Sequence, residues 1–332
     1  MADGVKVAAV QGTPVFLDRD ATVDKSIGFI KEAAADGAGL IVFPEAFVAG
    51  YPDWVWRRTP WNDGPSDWWT RLHDQAVVVG SPATDALADA AREASAHVVV
   101  GVNERDPHGG SIYNSLLFFG SDGSLLGRHR KLMPTGGERL VWAMGDGSTL
   151  RTYDTPFGRL GGLVCWENYM PLARAALFAD GIDVYVAPSW DNSDEWVPTL
   201  RHIAKEGGCW VIGVTPCLRG SDVPAAIPGR DEIYGGDDDW MSKGNTTVVA
   251  PGGSVVAGPL IGEEGIVYAE LDRGAVTRQK LQFDAVGHYA RPDVLRLSVD
   301  RRVKAPAVFL DADDLAEPTA PRREPTLGDD HG

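Results

Sequence analysis

The chain has 332 residues, of which 44% are hydrophobic and 23% are charged, and its formal net charge is −16. Both fractions are near the averages for folded globular domains, which excludes a wholly disordered or fibrous protein. The excess of acidic side chains would repel a phosphate backbone, so a nucleic acid is a poor partner.

Short β-branched runs alternate with Ala-rich, charged segments along most of the chain. The predicted strands are Val5–Val10, Leu40–Phe43, Val98–Val102, Ser115–Phe119, Leu160–Cys165, Val184–Ala187, Trp210–Val214 and Thr246–Ala250. The predicted helices are Ala21–Ala35, Ala83–Ala94, Pro171–Phe178 and Thr199–Glu206. This alternation predicts an α/β fold in which helices flank the sheets, with chemistry concentrated at the carboxyl ends of strands.

The composition changes at Asp311, where the chain becomes rich in proline and charge and has little to bury. We expect one domain over residues 1–310 and an acidic tail over residues 311–332, either disordered or packed against a neighbouring subunit.

Several classes of protein are disfavoured by what the sequence lacks. No apolar run approaches the roughly 18 to 20 residues of a membrane span, and no secretory signal pattern is visible, so we expect a cytoplasmic protein without a membrane partner. Cys165, Cys209 and Cys217 have no CxxC spacing, and no HExxH motif occurs. We therefore expect neither a metal nor a cofactor.

Charged side chains follow two of the apolar segments. Glu45 ends the run LIVFPE, and Lys131 lies in a basic cluster seven residues before Glu138. Taken separately, each residue has an ordinary explanation. Glu45 could be a loop acid or a helix cap, Lys131 a surface lysine, and Glu138 a solvated loop carboxylate.

Cys165 lies where the predicted strand Leu160–Cys165 ends, shortly before a helix that should begin near Met170 or Pro171 and stop at Asp180-Gly181. The positive end of the helix dipole can stabilise the thiolate of a cysteine in such a turn, which would lower its thiol pKa. The alternative is a small buried hydrophobe, which we keep for the other two cysteines. If Glu45, Lys131 and Cys165 converge, they could act as base, cation and nucleophile.

Tryptophan is abundant near Glu45 and at later strand ends. Tyr51, Trp166 and Trp190 are candidate substrate-binding residues because each lies close to a proposed active-site segment. Trp61, Trp68 and Trp69 are better explained as core or subunit-contact residues.

Three segments carry a specific resemblance. FPEAFVAGYP, HRKLMPTGGERLVWAMGDG and GGLVCWENYMPLAR resemble the signature segments of the nitrilase branch of the carbon-nitrogen hydrolase superfamily. The resemblance implies a four-layer αββα sandwich, and it assigns the family's Glu-Lys-Cys triad to Glu45, Lys131 and Cys165. It assigns the second glutamate to Glu138, and it implies a homo-oligomer built from dimers, with a spiral filament among the possible forms.

The resemblance also implies an activity. Cys-Trp-Glu at Cys165–Glu167 is similar to nitrilases, which hydrolyse a small-molecule nitrile with water through thioimidate and thioester intermediates. Cyanide-degrading relatives share this triplet, and an amidase or carbamoylase of the same superfamily is a further alternative. A non-catalytic assembly module is disfavoured, because such a scaffold has no need of all four residues. Ala143 departs from the family, where glycine is frequent.

Overall fold

A computed structural model describes residues 4–58, 67–236, 239–305 and 307. The strands are β1 (Gly4–Gln11), β2 (Leu40–Val42), β3 (His97–Arg105), β4 (Ile112–Phe119), β5 (Leu125–Arg130), β6 (Tyr153–Thr155), β7 (Gly158–Gly162), β8 (Val184–Pro188), β9 (Trp210–Val214), β10 (Cys217–Arg219), β11 (Trp240–Lys243), β12 (Thr246–Val249), β13 (Val255–Leu260) and β14 (Gly265–Asp272). The helices are α1 (Arg19–Ala35), α2 (Trp68–Gln75), α3 (Pro82–Ala94), α4 (Pro171–Ala179), α5 (Trp196–Gly207), α6 (Arg230–Ile233) and α7 (Arg273–Gln282).

Two six-stranded sheets form the centre of the molecule. The first has the order β14-β1-β2-β3-β4-β5 and the second has the order β13-β12-β9-β8-β7-β6. Strands β1, β2 and β3 are parallel, as are β7, β8 and β9, while the outer strands pair antiparallel. Parallel strands bring their carboxyl ends to one edge, where the segments after β2, β7 and β8 can meet.

The central strands of each sheet are buried on both faces. One face of the first sheet packs against α1 and α3, through residues such as Leu87. Its other face packs on the second sheet, with Val42 and Val186 in a shared core. The outer face of the second sheet carries α4 and α5, through residues such as Leu200. The layers are therefore helix, sheet, sheet and helix, which confirms the expected αββα sandwich.

Double-sided burial explains why β1 is apolar at consecutive positions. Its residues alternate between the two cores, since Val7 and Ala9 face the second sheet while Ala8 and Val10 face the helices. Patterns of this kind identified every parallel strand. The antiparallel edge strands β5, β6, β13 and β14 were not predicted, because their partly exposed residues give a weaker apolar signal.

Two boundaries bear on the site. The strand predicted to reach Cys165 ends at Gly162, and Cys165 instead opens a 3-10 turn over Cys165–Tyr169. The following helix begins at Pro171 and ends at Ala179, as expected.

Residues Met1–Arg302 form one compact unit, and most of the second unit, Val303–Gly332, lies outside the described residues. The expected tail over residues 311–332 also lies outside them, and the domain division stays a prediction. Within the described part of the chain, no helix combines the length and apolarity needed to cross a bilayer.

Candidate active site

Glu45 lies beyond the carboxyl end of β2, in a turn against β3. A Cβ at Gly101 of β3 would collide with the carbonyl of Pro44 and lie 2.9 Å from the Cα of Glu45, so only glycine allows this close approach. The Glu45 carboxylate is buried, and its Oε2 accepts a hydrogen bond from the backbone N–H of Trp190 across 2.6 Å. Its Oε1 accepts from Asn114 Nδ2 across 2.6 Å. Elements of both sheets therefore fix this carboxylate.

Lys131 directly follows β5, which runs in the same direction as β3 because each pairs antiparallel with β4. Its ammonium is fully buried, and Nζ lies 3.0 Å from Glu45 Oε1 and 2.8 Å from Glu138 Oε2. The lysine therefore bridges the two carboxylates.

Glu138 is presented by a 3-10 turn over Gly136–Leu140. Its Oε2 accepts the backbone N–H of Thr135 across 2.6 Å, in a capping-box arrangement that fixes the side chain to its own turn. Its Oε1 accepts from the hydroxyl of Tyr51 across 2.7 Å. The second glutamate is thus held in place independently of Lys131.

Cys165 is buried and has a left-handed backbone conformation, with φ of +53°. Such a conformation is unfavourable for a residue with a Cβ, and it persists where surrounding contacts enforce it. Asn168 Nδ2 donates to the carbonyls of Cys165 and Leu163 across 2.8 and 3.1 Å. The Ser189 hydroxyl donates to the cysteine sulfur across 3.2 Å. The turn thereby aims the sulfur into the site.

Charge and burial oppose each other in this cluster. Burial raises the pKa of the Glu45 carboxyl, although the neighbouring Lys131 ammonium acts in the other direction. Burial alone would lower the pKa of Lys131, but Glu45, Cys165 and Glu138 raise it above its ordinary value. Lys131 therefore stays protonated, and the cluster is built around a permanent cation.

The expectation of a low thiol pKa at Cys165 is wrong in direction. Burial and the Glu45 carboxylate raise the pKa of the thiol, and the opposing effect of Lys131 does not cancel them. The physical reason is that the sulfur is buried close to the carboxylates of Glu45 and Glu138, and both burial and negative charge disfavour a thiolate. The nucleophile is consequently a neutral thiol at rest and needs a base.

A cavity of about 670 Å³ opens above the sulfur. Cys165 and Glu138 line it together with Tyr51, Trp56, Trp166 and Trp190, and a polar strip is formed by Asp191, Asn192 and Ser193. The rings of Tyr51 and Trp190 are stacked, with centroids 4.3 Å apart and an interplanar angle of 7°. Trp166 is half exposed, and its Nε1 donates to Asp191 Oδ2 across 2.8 Å. The cavity is a largely aromatic slot with one acidic rim.

The structure places the three substrate-binding candidates, Tyr51, Trp166 and Trp190, on the wall of this cavity. Trp68 is buried in a satellite core, and Trp69 packs against the same core. Trp61 lies outside the described residues.

Sequence reasoning did not single out Asn114, Ser189 or Trp56. Asn114 is an inward residue of β4 and Ser189 is a small residue after β8, so nothing in their local sequence distinguishes them from core or loop residues. Trp56 was one of several tryptophans in its segment, and only its position against the cavity sets it apart.

Comparison with known proteins shows the family to which this chain is similar. Residues 6–280 match the family model described as Carbon-nitrogen hydrolase. The chain is 45% identical to the aliphatic nitrilase of Sinorhizobium fredii, over 91% of this chain and 98% of the relative. It is 43% identical to Nitrilase 2 of Arabidopsis thaliana, over 94% of each chain.

A solved structure shares the fold at lower identity. Saccharomyces cerevisiae Nit3, a member of branch 10 of the nitrilase superfamily, superimposes with a TM-score of 0.69. The identity is 23%, over 86% of this chain and 96% of the yeast protein. This similarity supports the fold alone.

Proposed function

This chain belongs to the carbon-nitrogen hydrolase family and is a nitrile-hydrolysing enzyme, and we propose that Cys165, Glu45, Lys131 and Glu138 carry out its reaction. The observation that carries the proposal is the Lys131 ammonium held between the carboxylates of Glu45 and Glu138, beside a cavity that Cys165 lines. Cys165 and Glu138 line the cavity, and Lys131 and Glu45 are buried next to Glu138, so we propose that base, cation and nucleophile act on one small molecule.

The first step forms a bond between the cysteine sulfur and the nitrile carbon. Glu45 accepts the thiol proton as the sulfur adds and passes it to the nitrile nitrogen, which gives a covalent thioimidate and restores the Glu45 carboxylate. A base is needed because burial raises the pKa of the Cys165 thiol. The raised pKa of Glu45 brings the carboxyl nearer to the pH at which it must exchange that proton.

Hydrolysis of the thioimidate follows. Glu45 transfers a proton from the attacking water to the thioimidate nitrogen, which gives a tetrahedral intermediate. The hydroxyl proton of this intermediate then passes through Glu45 to the same nitrogen, which leaves as ammonia. The remaining thioester is cleaved by a second water, which releases the carboxylic acid and returns the proton to the sulfur. If the sulfur leaves before the nitrogen, the product is the amide.

Lys131 stabilises the charge that develops on the substrate. An ammonium has three N–H donors, and two of them are directed to Glu45 and Glu138, which leaves the third for the reacting nitrogen or oxygen. The backbone N–H of Trp166 is the second donor in this proposal. Removing one such preorganised donor typically costs roughly 3 to 4 kcal/mol of transition-state stabilisation.

The cavity favours an organic nitrile over hydrogen cyanide. Its volume of about 670 Å³ is in the range of sites that bind drug-sized molecules, and its walls are mostly aromatic. Tyr51, Trp166 and Trp190 are proposed to contact the body of the substrate. Asp191 on the rim would disfavour an anionic substrate.

Some expectations from the sequence remain proposals. No step of the mechanism calls for a cofactor, and we propose that the enzyme uses none. A homo-oligomer built from dimers follows from the family resemblance, and a spiral filament and a cytoplasmic location also remain predictions.

Ammonia release from a panel of aliphatic, arylacetic and aromatic nitriles, cyanide and the matching amides tests the function. We expect turnover of organic nitriles and a folded but inactive Cys165→Ala variant. Mass spectrometry of the products separates acid from amide. Preference for amides or cyanide in the wild type, or substantial nitrile turnover in Cys165→Ala, would contradict the proposal.

A further inference from the structure

A second buried polar cluster adjoins the active-site segments, and its centre is the carboxylate of Glu167. This side chain is buried, and its Oε2 accepts the backbone N–H of Val164 across 2.8 Å. Its Oε1 accepts the backbone N–H of Leu132 across 2.6 Å. Nε2 of the buried His129 lies 3.0 Å from Oε2. Glu167 does not line the cavity described above and takes no part in the proposed chemistry.

The two backbone partners of Glu167 adjoin the catalytic residues in sequence. Leu132 follows Lys131, and Val164 precedes Cys165. One segment leaves β5 of the first sheet, and the other leaves β7 of the second sheet. Since apolar side chains make up the interface between the sheets, and such contacts are not directional, this carboxylate supplies a directed link between them.

The negative charge of the buried Glu167 carboxylate is compensated within the cluster by His129. Burial alone would lower the pKa of His129, but the carboxylate raises it above its ordinary value. Burial alone would raise the pKa of Glu167, but His129 and the two backbone N–H groups lower it. Between pH 4.5 and 6.5 both members of the pair are therefore ionised and the pair is neutral in sum, so Glu167 adds no uncompensated charge near the carboxylates that hold Lys131.

We propose that Glu167 is a positioning residue that fixes Lys131 relative to Cys165, by binding the backbone beside each of them from a single carboxylate. His129 is the counter-charge that keeps this carboxylate ionised. The inference rests on the proposed function, because it concerns the geometry that nitrile hydrolysis requires. A displacement of about 1 Å in such a geometry can reduce a rate roughly 100-fold.

Glu167→Asp distinguishes the contributions of the two backbone hydrogen bonds, because it should keep one and lose the other. The contact to Val164 is local, three residues back in the same turn, whereas the contact to Leu132 crosses between segments of different sheets. A side chain shorter by one methylene keeps the charge and can retain the local contact, but it cannot also span to Leu132. Glu167→Gln is the second variant, because its amide has one acceptor oxygen for two N–H donors.

Glu104→Asp is the matched control. Glu104 is also a buried carboxylate and binds Arg128 and Arg130, which flank His129 on β5, but these contacts remain within the first sheet. The same shortening there should lower the melting temperature without separating Lys131 from Cys165.

The experiment measures kcat and KM for a nitrile that the wild type hydrolyses, with melting curves for every variant. We expect kcat to fall about 100-fold in Glu167→Asp and Glu167→Gln, KM to change less than about threefold, and Glu104→Asp to keep kcat within about threefold of the wild type.

A second readout does not depend on nitrile turnover. Alkylation of Cys165 by iodoacetamide, followed by peptide mass spectrometry across pH, should show an altered pH profile in Glu167→Asp and an unaltered one in Glu104→Asp. A folded Glu167→Asp with wild-type kcat and alkylation profile would overturn the inference. Failure of both Glu167 variants to fold would also overturn it, because the residue would then determine folding. A wild type that hydrolyses no nitrile would instead refute the proposed function.

Discussion

The hydroxyl of Ser189 donates to the sulfur of Cys165 across 3.2 Å, and the same oxygen accepts the backbone N–H of Asp191 across 2.9 Å. The serine is fully buried, so its proton is directed at the sulfur without competition from bulk water. This contact opposes the rise in thiol pKa that burial and Glu45 produce. Ser189 therefore helps to hold the thiolate when it forms.

Ser189→Ala should raise the thiol pKa further and slow the reaction. A hydrogen bond to a charged group contributes roughly 1.5 to 3 kcal/mol, which corresponds to about one to two pKa units. We expect the rate of Cys165 alkylation at pH 8 and kcat for a nitrile to fall about tenfold. Ser26→Ala, which removes a buried serine hydroxyl bonded within α1, is the control and should leave both rates unchanged. Equal rates in Ser189→Ala and the wild type would exclude this role.

The pH dependence of kcat/KM should reflect the ionisation of the Glu45 carboxyl group. Its carboxyl must be ionised to accept the thiol proton, and burial raises its pKa above the ordinary value of 4.5. Activity should therefore decline as the pH falls, with a midpoint above 4.5. In Glu45→Gln we expect a rate about 10² to 10⁴-fold lower and no such decline. The control variant Glu104→Gln should retain the decline in activity at low pH. An unchanged pH profile in Glu45→Gln would rule out Glu45 as the base.

The Tyr51 hydroxyl should matter more for kcat than for substrate binding. It donates to Glu138 Oε1 across 2.7 Å, while the ring remains stacked on Trp190 without it. For Tyr51→Phe we expect kcat to fall about tenfold with KM within about threefold of the wild type, since a hydrogen bond to a carboxylate is lost. Steady-state kinetics with an aryl nitrile would measure both constants. Tyr153→Phe, whose hydroxyl binds the Arg128 carbonyl, should change neither.

The pair of His129 and Glu167 should stabilise the fold within a defined pH range. Glu167 has a lowered pKa, so its contribution is complete above the ordinary value of 4.5 and is lost as pH falls through the folded-state pKa. His129 has a raised pKa, so its contribution is complete below 6.5 and is lost as pH rises through the folded-state pKa. Both contributions are therefore complete between pH 4.5 and 6.5.

His129→Gln should consequently lose most stability inside that range. Breaking a buried ion pair costs roughly 3 to 5 kcal/mol, and urea unfolding at pH 5.5 and pH 9 would measure the difference. We expect the difference in free energy of unfolding between wild type and His129→Gln to become smaller as the pH rises through the folded-state pKa of His129, where the imidazolium loses its proton. Equal stability of wild type and His129→Gln at pH 5.5 would show that the pair does not stabilise the folded protein.

The sequence alone determined the layered α/β class, all of the parallel strands and the helices α1, α3, α4 and α5, because the apolar periodicity of buried elements is local. It also indicated Glu45, Lys131, Glu138 and Cys165 as candidate catalytic residues, since each lies in a distinctive segment that resembles a known family. Tertiary structure decided what local patterns do not encode. The thiol pKa moved opposite to expectation because burial depends on both sheets, and the links made by Asn114, Ser189 and Glu167 join segments that are distant along the chain.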